Sequence, residues 1–487
     1  MQQILSRIPV GYAALAALIA WGATIITLGL IRQSAIGIDE AAAKDLLLLW
    51  SISDRITSPV GTFGAPDLRA ILLIPPSIYW PGSVTAAKIF TLMLTFGAIY
   101  LLFKWSHEEN NESALIASAL FLICPLTITQ IDTLSGGPFL VLCVALAHWL
   151  DLRYRDKGRH LGGYFFLQLL IVALAVSIHP VGLAYPLALA YIWATRQCEQ
   201  SQERKKSIFI GVLIASALII TFRMGWQDGI AWLSNPIQTL ADAFANGYSQ
   251  LVEPANQAIG AIILAVVGLV AFYDRKFLLK DLPGTILLFG LVIGLIAADG
   301  SWALFAVTLL LFRGFHLLIA FNNSFKTDSL IGKRGLVIAC AFILATAFMH
   351  VDKQYTQNLN LELYTQEDEL IRTLCENPIV LDQEIPFKAA SQWPAKTLIA
   401  CRRDVFPLPS ATETGPELLE KIQGITHLAF NHNLEKNKAL AQNIAELPGH
   451  TRTIALQPGG VVIQIITEEV KPVTPPSNHS STTQESQ

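Results

Sequence analysis

Residues 10–40 read VGYAALAALIAWGATIITLGLIRQSAIGIDE. The segment Val10–Ile31 carries no charge, and an acidic pair, Asp39-Glu40, follows eight residues later. Crossing the hydrocarbon core of a bilayer as a helix takes about 20 apolar residues, because about 30 Å is covered at 1.5 Å per residue. The segment is long enough to span, and its apolar run is too long for the hydrophobic part of a cleaved secretion signal. The spans that follow it favour an uncleaved anchor.

The rest of the chain repeats the pattern. Of 487 residues, 53% are hydrophobic and only 15% charged, against about 25% charged in an average soluble protein. Mean hydropathy is +0.48. Further apolar segments fall at Ser83–Phe103, Ser113–Ile131, Thr133–Leu150, Leu161–Ile178, Val181–Thr195, Ser207–Phe222, Ala255–Tyr273, Leu282–Ala298, Ser301–Phe321 and Gly335–Met349. The fold class expected is therefore an α-helical polytopic membrane protein with about 11 transmembrane helices. Ile178–Val181 reads as a tight turn at the membrane surface. Lys88, near the outer end of its span, is expected to snorkel. Arg313 lies deeper and is expected to face the bundle interior or pair with a partner.

Lys and Arg in the connecting segments set the orientation, because they are retained on the cytoplasmic side. With the N-terminus in the cytoplasm, the cytoplasmic connections hold 16 Lys and Arg in 60 residues, and the opposite ones hold 5 in 88. An odd number of spans then puts everything after His350 outside. The net charge of −3 gives no sign of a nucleic-acid partner.

The expected domains are a transmembrane domain over residues 1–350, an extracytoplasmic α/β domain over 351–470, and a Ser/Thr/Pro-rich disordered tail over 471–487. In the second domain the apolar runs shorten to strand length at Ile379–Leu381, Thr397–Ala400, His427–Phe430, Thr453–Leu456 and Val461–Ile466. Leu361–Cys375 and Leu434–Leu447 read as helices between them. Cys375 and Cys401 are the two cysteines on the outer side, and an oxidising compartment allows a disulfide between them or leaves two buried thiols. His427 and His432 are isolated and read as ordinary core or surface histidines.

Two outer loops are long enough to build a site. Loop 32–82 contains an amphipathic stretch, Asp39–Trp50, and a second apolar stretch, Leu68–Trp80, broken by Pro75-Pro76 and read as a surface-lying or re-entrant helix. Loop 223–254 carries Trp226, Trp232 and Tyr248 as interfacial anchors. The Asp39-Glu40 pair has two readings. It is either a functional carboxylate pair at the bilayer surface or the polar start of the following helix, where acidic residues are favoured.

One span, an Asp-Glu pair in a large outer loop with surface helices, and a second span from Thr85-Ala86-Ala87-Lys88 to Phe103-Lys104 together resemble the GT-C membrane glycosyltransferases. The third span, with Cys124-Pro125-Leu126 before Asp132, fits the same pattern. The branch most resembled is that of the protein O-mannosyltransferases and bacterial aminoarabinose transferases, over roughly residues 10–195. The resemblance implies transfer of a sugar from a polyprenyl-phosphate or -diphosphate carrier to an envelope lipid, glycan or protein acceptor, on the outer face of a bacterial inner membrane. It implies Asp39 as general base, Glu40 as its neighbour in the pair, and Asp132 as the second-loop acidic residue. His179 falls where many members place a basic residue facing the carrier phosphate, or simply caps a turn. Arg69 and Arg223 are the other outer-side cations for that phosphate. Some relatives use a divalent metal, Mg2+ or Mn2+, for which Asp39 and Asp132 are the candidate ligands. No metal motif stands alone in this sequence.

Two departures stand out. Ala65 occupies the position of a family histidine, with Asp67 nearby as a partial substitute, and Asp132 has no neighbouring Arg in sequence. Other readings are a polysaccharide polymerase or ligase centred on Arg223–Pro254, and a non-catalytic scaffold or carrier-lipid-binding protein on a decayed transferase fold. A transporter ranks last, since it would need paired broken helices with polar mid-membrane residues.

Overall fold

The computed structural model divides into two compact units, Met1–Leu363 and Tyr364–Gln487. It describes residues 38–52, 70–107, 125–155, 161–197, 275–296, 302–309, 366–376, 387–409, 414–447, 451–457 and 460–466. Single positions between 16 and 22, between 114 and 122, and at 241, 245 and 313 are also described. The spans expected at Ser207–Phe222, Ala255–Tyr273 and Gly335–Met349, and nearly all of Val10–Ile31, lie outside these residues, as does loop 223–254. The division falls 13 residues beyond the expected boundary at 350.

The first unit is helical. Helix α1, Glu40–Ile52, and helix α2, Ala70–Tyr79, precede α3, Val84–His107. Helix α1 is rich in Ala and Leu and buries Ala43, Leu46, Leu47 and Trp50. That spacing puts one apolar stripe along the helix, and it packs on α2. Helix α2 carries Pro75 and Pro76 inside it. It leaves Ile71, Ile78 and Tyr79 exposed, together with Trp80 just beyond its end. An apolar helix ending in Tyr and Trp has the composition of a membrane interface.

Helix α3 is the one helix among the described residues long and apolar enough to cross a bilayer by itself. Helices α4, Pro125–Asp132, and α5, Gly137–Arg155, follow. They form a pair bent by 113° that passes the same length and composition test when taken together. The break covers residues 133–136, and Leu134 there has φ 56°, a left-handed conformation that is uncommon for a residue other than Gly.

Helix α6 covers Leu161–Ile178, the limits expected from sequence. A 3-10 turn, Pro180–Leu183, leads into α7, Ala184–Gln197. The chain needs glycine in that turn, because a Cβ on Gly182 would lie 1.9 Å from the Ala175 carbonyl oxygen. Helices α8, Arg275–Lys280, α9, Leu282–Ile296, and α10, Trp302–Leu309, complete the described part of the unit. Helix α3 packs on α5, α5 on α6 and α9, and α9 on α7 and α10.

The second unit is α/β. Helix α11, Gln366–Glu376, precedes strand β1, Lys388–Ser391, helix α12, Pro394–Cys401, and strand β2, Asp404–Pro407. Helix α13, Gly415–Lys421, strand β3, His427–Phe430, and helix α14, Glu435–Ala445, follow, and the hairpin β4, Thr451–Gln457, and β5, Gly460–Ile465, ends the unit. The sheet order is β2-β1-β3-β5-β4. The first three strands are parallel, and β5 and β4 are added antiparallel. Leu428, Phe430, Leu440, Ile444 and Ile463 form its core.

One expectation changes here. Thr397–Ala400 is helical rather than a strand. Pro394 stands in the first helical turn, where its missing N–H is no loss, and Arg402 closes the helix in a left-handed conformation. Strands β1 and β2 flank that segment, on sequence too short and too weakly alternating to declare itself. A disulfide joins Cys375 at the end of α11 to Cys401 at the end of α12, with Cα atoms 4.9 Å apart.

Candidate functional site

Asp39 stands at the N-terminal edge of α1, with its carbonyl accepting the Ala43 N–H at 2.9 Å. It occupies the N-cap position, and Glu40 is the first helical residue. Asp39 is exposed, Glu40 is half-buried, and Ile38 before them is buried. The polar-helix-start reading of the pair is therefore correct about the backbone, and the side chain of Asp39 still faces outward.

The Asp39 N–H does not serve its own helix. It donates to the Thr133 carbonyl at 2.9 Å, in the bend between α4 and α5. This one bond ties loop 32–82 to the residue after Asp132. Within the bend, Leu134 N–H donates to Ile131 at 3.2 Å and Ser135 N–H to Gln130 at 3.0 Å, which returns two of the last α4 carbonyls to hydrogen bonding.

Asp132 ends α4. Its Oδ1 lies 2.5 Å from Lys88 Nζ on α3, with Lys88 fully buried and the Asp132 side chain 14% exposed. Lys88, near the outer end of its helix, therefore meets a carboxylate there. A carboxylate at the same depth lets the ammonium stay inside, where alone it would cost several kcal/mol. The sequence carried a usable signal. Lys88 and Asp132 both sit near the outer ends of adjacent apolar segments, and an intramembrane cation calls for a counter-charge at its own level.

His179 caps the 3-10 turn, its Nδ1 accepting the Val181 N–H at 3.2 Å. With Nδ1 accepting, a neutral ring carries its proton on Nε2. Gly136, in the Asp132 bend, packs directly beneath this turn. A Cβ there would come 2.6 Å from Ile178 Cγ2 and 3.9 Å from His179 Cβ. Asp39, Asp132 and His179 are thus gathered at one end of the helices, around residues 132–136. Asp67, Arg69 and Arg223 lie outside the described residues, and so does Ala65.

Among the described residues, no group of three or more His, Cys, Asp or Glu is placed to hold a metal ion. The Asp132 carboxylate already faces an ammonium, whose charge opposes a second cation at that oxygen.

The sequence matches no family model and no curated protein. Solved structures do match. The archaeal oligosaccharyltransferase AglB from Archaeoglobus fulgidus, in complex with an inhibitory peptide and a dolichol-phosphate, is 12% identical with a TM-score of 0.50. The match covers 94% of this chain and 75% of that one. The same organism's oligosaccharyltransferase in the apo form matches with a TM-score of 0.51, over 88% of this chain and 71% of that one, also at 12% identity. ArnT from Cupriavidus metallidurans, bound to undecaprenyl phosphate, is 10% identical with a TM-score of 0.53, over 95% of this chain and 99% of that one. At these identities the likeness is one of fold. The fold of this chain, a helical unit followed by an α/β unit, is similar to that of these structures over most of its length.

Proposed function

We propose that the protein is a glycosyltransferase that moves a sugar from a polyprenyl-phosphate carrier to an envelope lipid, glycan or protein, on the outer face of a bacterial inner membrane. The observation that carries this reading is the hydrogen bond from Asp39 N–H to Thr133 O. It brings acidic residues from two separate segments to one end of a fold whose neighbours are transferases that bind polyprenyl phosphates.

The chemistry follows from what the acceptor lacks. A hydroxyl is a poor nucleophile until a base within hydrogen-bond reach draws off its proton. Asp39, exposed and preset at the helix N-cap, takes that proton. The acceptor oxygen then forms a bond to the anomeric carbon, and the bond from that carbon to the carrier phosphate breaks. The electron pair leaves with the polyprenyl phosphate. Attack from the face opposite the leaving group inverts the anomeric centre, as with the base of an inverting glycosidase. Arg69, Arg223 and His179 Nε2–H are the outer-side groups available to meet the phosphate charge.

Replacing Asp39 with Asn tests the assignment. Transfer from a synthetic polyprenyl-phosphate-linked sugar, by the intact protein in nanodiscs, is expected to fall by about 10²-fold or more. Undiminished transfer rejects Asp39 as base.

A second reading, a carrier-lipid-binding scaffold on a decayed transferase fold, draws on the Lys88–Asp132 ion pair, which commits one acidic residue to a lysine. Copurification of a lipid-linked sugar with no turnover by the wild-type protein would favour it.

A further inference from the structure

Lys88 has no part in the chemistry above, yet it is the most fully buried charge among the described residues of the helical unit, at 0% exposure. Its partner is unusual in its own way. Asp132 is the last residue of α4, and the C-terminal end of a helix carries partial negative charge that disfavours a carboxylate. An ammonium 2.5 Å from Oδ1 holds the carboxylate in one orientation.

The next residue passes this constraint on. Thr133 presents its carbonyl to Asp39 N–H at 2.9 Å, and Leu134 turns the chain through φ 56°. A left-handed non-Gly residue persists only where its surroundings over-determine it. The hydrogen bonds from Leu134 and Ser135 back into α4 are one constraint, and the ion pair at Asp132 is the other. Gly136, packed on Ile178, closes the bend from the far side. A route of direct contacts thus runs from Lys88 to Asp132, through the Thr133 carbonyl, to the backbone of Asp39.

We propose that Lys88 is a positioning residue of the transfer site. It orients Asp132 and, through the 133–136 bend, sets the place of Asp39. The proposal rests on the transferase reading of this site. Misplacing a reacting group by about 1 Å can cost on the order of 10²-fold in rate, so the effect falls on turnover rather than on donor binding.

The test is transfer from a polyprenyl-phosphate-linked hexose or pentose by the intact chain in nanodiscs, with an envelope-lipid extract as acceptor. Lys88→Met is expected to lower kcat about tenfold or more and leave the KM for the donor nearly unchanged. Lys88→Arg should recover part of the loss. The double variant Lys88→Met with Asp132→Asn should be no slower than Asp132→Asn alone, because Lys88 acts through that carboxylate. The double variant removes both charges, so it carries the comparison if Lys88→Met alone does not accumulate. Multiplying losses in the double variant, or a raised donor KM in Lys88→Met, would place Lys88 on the donor and overturn the proposal. A Lys88→Met protein as fast as wild type would overturn it too, while leaving the transferase reading intact. A wild-type protein that transfers no sugar would overturn both.

Discussion

A histidine ring enclosed in a protein core loses the water that would solvate its charge, and His427 shows the result. It is 1% exposed on β3. Its Nδ1 lies 2.9 Å from the Thr426 hydroxyl, and its ring stacks on Phe387 at 5.6 Å. Burial pushes its pKa down from 6.5 to about 4. The unfolded chain therefore takes up a proton near pH 6.5 that the folded one refuses until about pH 4. The stability tied to this neutral ring is complete above pH 6.5 and is lost as the pH falls towards 4. We predict that hydrogen exchange of the β3 segment in the intact protein speeds up between pH 6.5 and pH 4. In His427→Phe this change should be smaller, and an equal change in the two proteins would refute the assignment.

Helices α11 and α12 are joined twice, once by the Cys375–Cys401 disulfide and once by charge. Lys396 Nζ on α12 lies 2.6 Å from Asp368 and 3.0 Å from Glu367 on α11. Burial would lower the Lys396 pKa, but the two carboxylates outweigh it and hold the ammonium above the ordinary lysine value. Removing the lysine strands Asp368, whose side chain is only 5% exposed. Breaking such a buried pair from one side costs about 3 kcal/mol. Lys396→Met is expected to destabilise the second unit by about that much, read as faster exchange of the α11 and α12 amides in the full chain. No change there would mean the ion pairs contribute nothing net. These two links also explain why Thr397–Ala400 misled a reading by hydrophobicity alone. An apolar run of four residues fits a buried helix as well as a strand. Pro394 and the pairings with α11 decide for the helix. His427–Phe430, by contrast, is buried at every residue and lies between β1 and β5, so its short apolar run was legible as a strand.

At the scale of the molecule, the charge asymmetry of the loops makes a definite demand. On the proposed topology, with the N-terminus inside, the residues after His350 lie outside, where Cys375 and Cys401 can stay oxidised. We predict that alkaline phosphatase fused after Gln487 is active in bacterial cells, and that the same enzyme fused at Lys205 is inactive. The reverse pattern would invert the topology and remove Asp39, Asp132 and His179 from the outer face.

The sequence by itself determined the properties that are local. Long uncharged runs marked a helical, charge-poor first unit. Shorter runs marked an α/β second unit, and the acidic pair at 39–40 stood out because it follows a long uncharged run. Each of these depends on residues close together in the chain. Only the tertiary structure decided which distant residues meet. Lys88 and Asp132 are separated by 44 positions, and the bond from Asp39 to Thr133 joins segments farther apart still. Helix packing sets those meetings: α3 lies against α4 and α5, and that contact buries a lysine where only a carboxylate could make it tolerable. The acidic pair was legible as a local feature, whereas the pairing of Lys88 with Asp132 became definite only when helix packing set α3 against α4.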